Sequence, residues 1–129
     1  MEKKLILVVE DDHEIVDLLK DILKSFGFDV AVAYNGEEAL RVMEKRLPNL
    51  ILLDIVLPGK NGYTVLREIR RREENFSTSH HIPVVMQSGR GLPTRILCES
   101  EGIAGFLHKP YGPDELRETI LSALEEDAA

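Results

Sequence analysis

Lys4-Leu-Ile-Leu-Val-Val-Glu10-Asp11-Asp12 is the stretch that decides how the rest of the chain is read. The apolar run Leu5–Val9 is unbroken, rich in β-branched residues, and stops abruptly at acids. Such runs mark strands buried on both faces of a parallel sheet. Four more follow, at Val30–Ala33, Leu50–Leu53, Val84–Met86 and Ile103–Leu107. Between them the apolar residues recur at helical spacing: Ile15, Leu18, Leu19, Ile22 and Phe26, then Ala39, Leu40, Met43 and Leu47. Val65, Leu66 and Ile69 form a third helical face, and Leu116, Ile120 and Leu124 a last one. A short fourth helix is expected over Thr94 to Ser100, after Gly89-Arg-Gly91-Leu-Pro93. Gly27 is placed to stop the first helix, Asn35 to cap the second, and Pro113 to open the last. Five βα units in series imply a three-layer α/β/α sandwich, because right-handed crossovers put helices on both faces of the sheet.

A length of 129 residues suits one domain, expected to span 1–129 with its core at about 4–126 and no output domain following. With 43% hydrophobic residues the chain can fill a sizeable core, and 30% charged residues suit a soluble surface. The 23 Asp and Glu outnumber the 16 Lys and Arg, for a net charge of -7. That balance argues against direct binding of nucleic acid or an anionic membrane, which needs clustered basic residues. The single cysteine, Cys98, excludes an internal disulfide framework and a multi-cysteine zinc site. No apolar stretch approaches the ~20 residues of a membrane helix, and no signal peptide is evident. A cytoplasmic location is expected.

In an open parallel sheet, ligands bind beyond the carboxyl ends of the strands. There the first strand delivers Glu10-Asp11-Asp12, the third Asp54, the fourth Ser88, and the fifth runs into Lys109-Pro110. A lone Asp at a strand end is usually a turn or cap residue, and a Lys-Pro step is usually punctuation. Their joint arrival at one sheet edge points to a site. Carboxylates held close raise one another's pKa, and a hard divalent cation such as Mg²⁺ relieves them with oxygen ligands. Lys109 then supplies a fixed positive charge and Ser88 a neutral donor, which suits a phosphoryl group, with Asp54 available as a carboxylate nucleophile.

At these residues the sequence resembles the receiver domain of two-component response regulators. The resemblance runs from Lys4 to about Glu126. It is carried by Val8-Val-Glu-Asp-Asp12, Asp54-Ile-Val-Leu-Pro58-Gly-Lys-Asn-Gly62, Val84-Val-Met-Gln-Ser88-Gly and Gly105-Phe-Leu-His-Lys109-Pro-Tyr111. It implies a flavodoxin-like, CheY-like (βα)5 fold with strand order 2-1-3-4-5. It implies Asp54 as phosphoacceptor from a sensor histidine kinase or a histidine phosphotransfer protein. Asp11, Asp54 and the backbone carbonyl of Val56 would ligate Mg²⁺, with Glu10 acting through water. Asp12 lies one place beyond the family's acidic pair and reads as a helix-start residue. Ser88 and Lys109 would hold the phosphoryl oxygens, and Phe106 would be the aromatic that turns inward when Ser88 moves. The surface of the fourth helix, fifth strand and last helix would meet an unidentified downstream protein. Val56 and Arg90 flank the route of a hydrolytic water and could tune the phosphate's lifetime. The resemblance fits a monomer or a phosphorylation-dependent dimer.

Phosphorylation adds roughly -1.5 to -2 of charge, so a hydroxyl on a nearby loop can gain a charge-assisted bond and drag packing with it. Arg90, His108 and Tyr111 lie near that route, or are simply exposed loop residues. His80-His81 in the polar stretch Glu73 to His81 reads as a plain loop rather than a metal or relay site. A receiver-like interaction domain that never takes phosphate is the main alternative. A Mg²⁺-dependent phosphatase of related architecture would place its nucleophile among two aspartates spaced one residue apart after strand one, a pattern missing here. A flavin mononucleotide carrier would need a hydroxyl- and Gly-rich phosphate loop where this chain has acids. Self-phosphorylation and slow self-dephosphorylation are expected, without conventional turnover.

Overall fold

The computed structural model describes residues 3–74, 81–89 and 102–128. The elements run β1 (Leu5–Val9), α1 (His13–Ser25), β2 (Asp29–Ala33), α2 (Gly36–Lys45), β3 (Leu50–Asp54), α3 (Gly62–Glu73), β4 (Val84–Ser88), β5 (Gly105–His108) and α4 (Pro113–Ala128). The helix expected over Thr94 to Ser100 lies outside the described residues, as do Arg90, Cys98 and His80, so the last helix is α4 here.

The strands form one parallel sheet in the order β2-β1-β3-β4-β5. Alternate residues of the inner strands feed two separate cores. Leu7, Val9, Ile51, Leu53, Val84 and Met86 pack with Ala39 and Met43 of α2 and Val65, Leu66 and Ile69 of α3. Ile6, Val8, Leu50, Leu52 and Val85 pack with Leu19 and Leu23 of α1 and Leu116, Ile120 and Ala123 of α4. The three layers follow. Each fully buried aliphatic side chain contributes about 1.5–3 kcal/mol, so the inner strands anchor whatever their ends carry.

Local signals set the helix boundaries. Asp12 caps α1 by accepting from the backbone N–H of Glu14 at 3.0 Å and of Ile15 at 3.3 Å. Asn35 caps α2 through the N–H of Glu38 at 2.9 Å, and Asn61 caps α3 through that of Thr64 at 2.9 Å. Gly27 follows α1 at φ +93°, a conformation that favours glycine. Leu19, Ile15, Ile22 and Phe26 face the core as the α1 stripe requires, but Leu18 is 60% exposed and Val16 and Leu23 are buried in addition. Likewise α2 ends at Lys45, leaving Leu47 beyond it and largely exposed. Among the described residues no helix is long and apolar enough to cross a membrane.

Strand order reverses around β1 and β3, so α1 leaves toward one side of the sheet and α3 toward the other. This opens a crevice at the carboxyl ends of those two strands.

Candidate functional site

Glu10 and Asp54 stand side by side in that crevice because β1 and β3 are paired, with Val9 opposite Leu53. Both are carried inward by strands with no exposed residue, and they are 1% and 3% exposed. Lys109, just beyond β5, reaches across: its Nζ donates to Asp54 Oδ2 at 2.5 Å and to Glu10 Oε1 at 3.0 Å. The lysine's backbone is tied to β4, where Lys109 N donates to the Ser88 carbonyl at 2.9 Å. The other Asp54 oxygen, Oδ1, accepts from Val56 N at 2.8 Å, which fixes the carboxylate's rotation. Contacts between residues so far apart in sequence arise only through strand register.

The turn after Asp54 is compact. Gly62 N donates to the Ile55 carbonyl at 2.6 Å, and a Cβ on Gly62 would stand 2.3 Å from the Asp54 carbonyl oxygen. Only glycine lets α3 start this close to the Asp54 backbone.

The electrostatics reflect crowded acids. Burial, then the hydrogen bond to Asp54, pushes the Glu10 carboxyl up from its ordinary 4.5 to about 7. Burial alone would depress the Lys109 ammonium, but its bonds to Asp54 and Glu10 outweigh that and hold it above its ordinary value. Burial raises the Tyr111 phenol strongly, and the nearby charges of Glu10 and Asp54 add to the effect.

The other expected residues fall around this centre. Asp11 is exposed at its mouth, and Asp12 is used up as the α1 cap. Ser88 ends β4 and is 1% exposed. Phe106, on β5, is half-buried and packs against the core under α2 and α3. Val56 presents an exposed side chain while its N–H holds Asp54. His108 is exposed, but Tyr111 is not the exposed loop residue it could have been. It packs against the core under α1 and α4, and its hydroxyl donates to Gln87 Oε1. Gln87 escaped the sequence reading because a polar residue at a strand end looks unremarkable. His81 lies at the opposite end of the sheet, where its Nδ1 stands 2.6 Å from Glu73 Oε2.

A divalent metal fits this donor set. Among the described residues no three His, Cys, Asp or Glu side chains converge as a ready-made cage. Mg²⁺ does not need one, since it takes one or two carboxylates and keeps several waters. Asp11 and Asp54 could supply those oxygens, together with the Val56 carbonyl, and Glu10 could act through water. With all three carboxyls ionised, the site would carry two negative charges beyond the Lys109 ammonium, which one divalent cation would balance.

Known proteins share this fold and sequence pattern. The family described as "Response regulator receiver domain" matches residues 6–121. The transcriptional regulatory protein CpxR of Klebsiella pneumoniae is 38% identical over 120 residues, covering 92% of this chain and 48% of that protein. The chain therefore spans about half the length of the curated relatives it matches. A CheY-like response regulator receiver domain protein from Methanospirillum hungatei superimposes with a TM-score of 0.87 at 30% identity, over 98% of each chain. The receiver domain of the sensor histidine kinase PA1611 from Pseudomonas aeruginosa has a magnesium ion coordinated in its active-site cleft. It superimposes with a TM-score of 0.82 at 28% identity, over 96% of this chain and 99% of that one.

Proposed function

This chain belongs to the response regulator receiver domain family of two-component systems, and we propose that it takes a phosphoryl group onto Asp54. The donor is a phosphohistidine on a sensor histidine kinase or on a histidine phosphotransfer protein. One observation carries the reading: the buried Asp54 carboxylate has one oxygen on the Lys109 ammonium and the other on the Val56 N–H. A carboxylate so held is oriented as a nucleophile, with a positive charge beside the place where phosphoryl oxygens would arrive.

In the transfer an Asp54 oxygen forms a bond to phosphorus as the P–N bond of phosphohistidine breaks. The electron pair of that bond stays on the ring nitrogen, which takes up one proton. Lys109 faces the negative charge that builds on the phosphoryl oxygens, and the Ser88 hydroxyl donates to one of them. Mg²⁺, held by Asp11, Asp54 and the Val56 carbonyl with Glu10 acting through water, would supply charge neutralisation between the carboxylate and the phosphoryl group. Hydrolysis returns Asp54 to a free carboxylate, and Val56 and Arg90 set how easily water reaches it.

Phosphorylation adds charge next to Ser88, and Ser88 moving toward it leaves room for Phe106 to turn inward. That changes the surface of β5 and α4, where a downstream protein docks, and it accommodates a monomer or a phosphorylation-dependent dimer. Residues 4–126 act as one receiver unit, in the cytoplasm, without conventional enzymatic turnover. The test is labelling with acetyl phosphate and Mg²⁺, read by intact mass. Wild type gains one base-labile phosphoryl group and Asp54→Asn gains none; equal labelling of the two overturns the assignment.

A further inference from the structure

Gln87 sits one residue before Ser88 and directly opposite Asp54 in the β3–β4 register, fully buried. A buried primary amide is costly unless it is bonded. Here Oε1 accepts from the Tyr111 hydroxyl, and among the described residues Nε2 has no partner. An apolar side chain would fill this place without that cost, so the amide marks a specific use. Its partner lies two residues beyond Lys109. The Lys109–Tyr111 segment is thus fastened to β4 at two points: Lys109 N on the Ser88 carbonyl, and the Tyr111 hydroxyl on Gln87. The first point is on the lysine itself, whose flexible side chain must meet Asp54 and Glu10 at once. Tyr111 is near enough to those carboxylates for their charge to oppose its ionisation, beyond the effect of burial.

We propose that Gln87 and Tyr111 are a positioning pair that fixes the backbone carrying Lys109 and so sets where its ammonium meets Asp54. The consequence for phosphoryl transfer rests on the role proposed for Asp54; the hold on Lys109 does not.

The experiment uses the full chain, Tyr111→Phe, Gln87→Leu and the double variant. In metal-free buffer, acylation of Lys109 by an N-hydroxysuccinimide ester is followed by peptide mass spectrometry. With Mg²⁺ and acetyl phosphate, the labelling rate is followed by intact mass. Tyr111→Phe leaves the Gln87 amide without its bond and lowers thermal stability. The double variant, with both polar groups gone, recovers that stability. In both, Lys109 acylates about fivefold faster and labelling slows about tenfold, the scale of a slightly misplaced reacting group. Loss of Lys109 protection in a double variant of restored stability separates positioning from mere packing. Wild-type Lys109 protection in the double variant overturns the proposal. If wild type takes no phosphate on Asp54, the proposed function fails, and the acylation rates still decide whether this pair holds Lys109.

Discussion

Replacing Gly62 by alanine tests how closely the start of α3 is fitted to the acceptor. The new Cβ would lie 2.3 Å from the Asp54 carbonyl oxygen, 2.7 Å from Ile55 Cα and 3.0 Å from the Asp54 carbonyl carbon. All three are backbone atoms, so no side chain can swing aside. The turn must open by roughly an ångström, stretching the 2.6 Å hydrogen bond from Gly62 N to the Ile55 carbonyl. Overpacking of this kind costs about 1–3 kcal/mol, and a weakened hydrogen bond adds up to about 1 kcal/mol. Alanine's better helix propensity returns less than about 1 kcal/mol in a first turn. A net loss of about 2 kcal/mol should lower Tm by roughly 6–10 °C. Gly59 provides the control. It lies at φ +80° with nothing within 4 Å of a Cβ, so Gly59→Ala meets only the left-handed backbone penalty of about 1–2 kcal/mol. Gly59→Asn, which tolerates that conformation, should lose less than Gly59→Ala, whereas Gly62→Asn should lose at least as much as Gly62→Ala. Urea and thermal denaturation measure all four. A Gly62→Ala variant within about 0.5 kcal/mol of wild type would refute the reasoning, since surface substitutions already span that range.

Asp12→Ala should remove the α1 cap and cost about 1 kcal/mol by urea denaturation, with Mg²⁺ affinity by titration nearly unchanged. A large loss of Mg²⁺ affinity would contradict the division of labour between Asp11 and Asp12. Glu73, 4% exposed, accepts from Ile82 N at 2.7 Å and from Arg70 at 2.9 Å. Glu73→Ala should therefore cost about 3 kcal/mol. It leaves the buried Ile82 N–H unbonded and strips the partly buried Arg70 guanidinium of its counter-charge, though that group keeps its bond to the Ile82 carbonyl at 2.8 Å. Acetyl phosphate labelling below the melting range should stay at wild-type rate. Glu10, held at about 7 against 4.5 in the unfolded chain, keeps its proton longer when folded. The unfolded chain therefore binds fewer protons between those values, and metal-free stability falls as pH rises through that window. Denaturation from pH 4 to pH 8 should show that slope in wild type and a shallower one in Glu10→Gln; identical slopes would remove Glu10 as its source.

The inner strands were legible because burial on both faces demands unbroken apolar residues, and Leu5–Val9, Leu50–Asp54 and Val84–Ser88 leave no exposed position. The acids and the lysine of the site were legible for a related reason: each follows directly from a strand end. The inward face of α1 was legible only in part: Leu18 points outward, and Val16 and Leu23 are buried in its stead. Ile15, Leu18, Leu19, Ile22 and Phe26 satisfy helical spacing, but so do Val16, Leu19 and Leu23, the residues that are buried. Apolar residues cover too wide an arc of that helix for periodicity to choose between them. Glu73 was hidden by its setting, a charged residue ending an arginine-rich helix, and its burial depends on Arg70 and Ile82 closing over it. Gln87 and Tyr111 meet across 24 residues of sequence and through the β4–β5 register, which no local pattern encodes.

The central claim is that Asp54, among the 23 acids of this chain, accepts the phosphoryl group. Borohydride reduces an aspartyl phosphate to homoserine, so reducing the labelled protein and mapping its peptides by tandem mass spectrometry reads the acceptor directly. Homoserine at position 54, and at no other acid, is the predicted result. Homoserine at position 11 or 12 with Asp54 unchanged would contradict it.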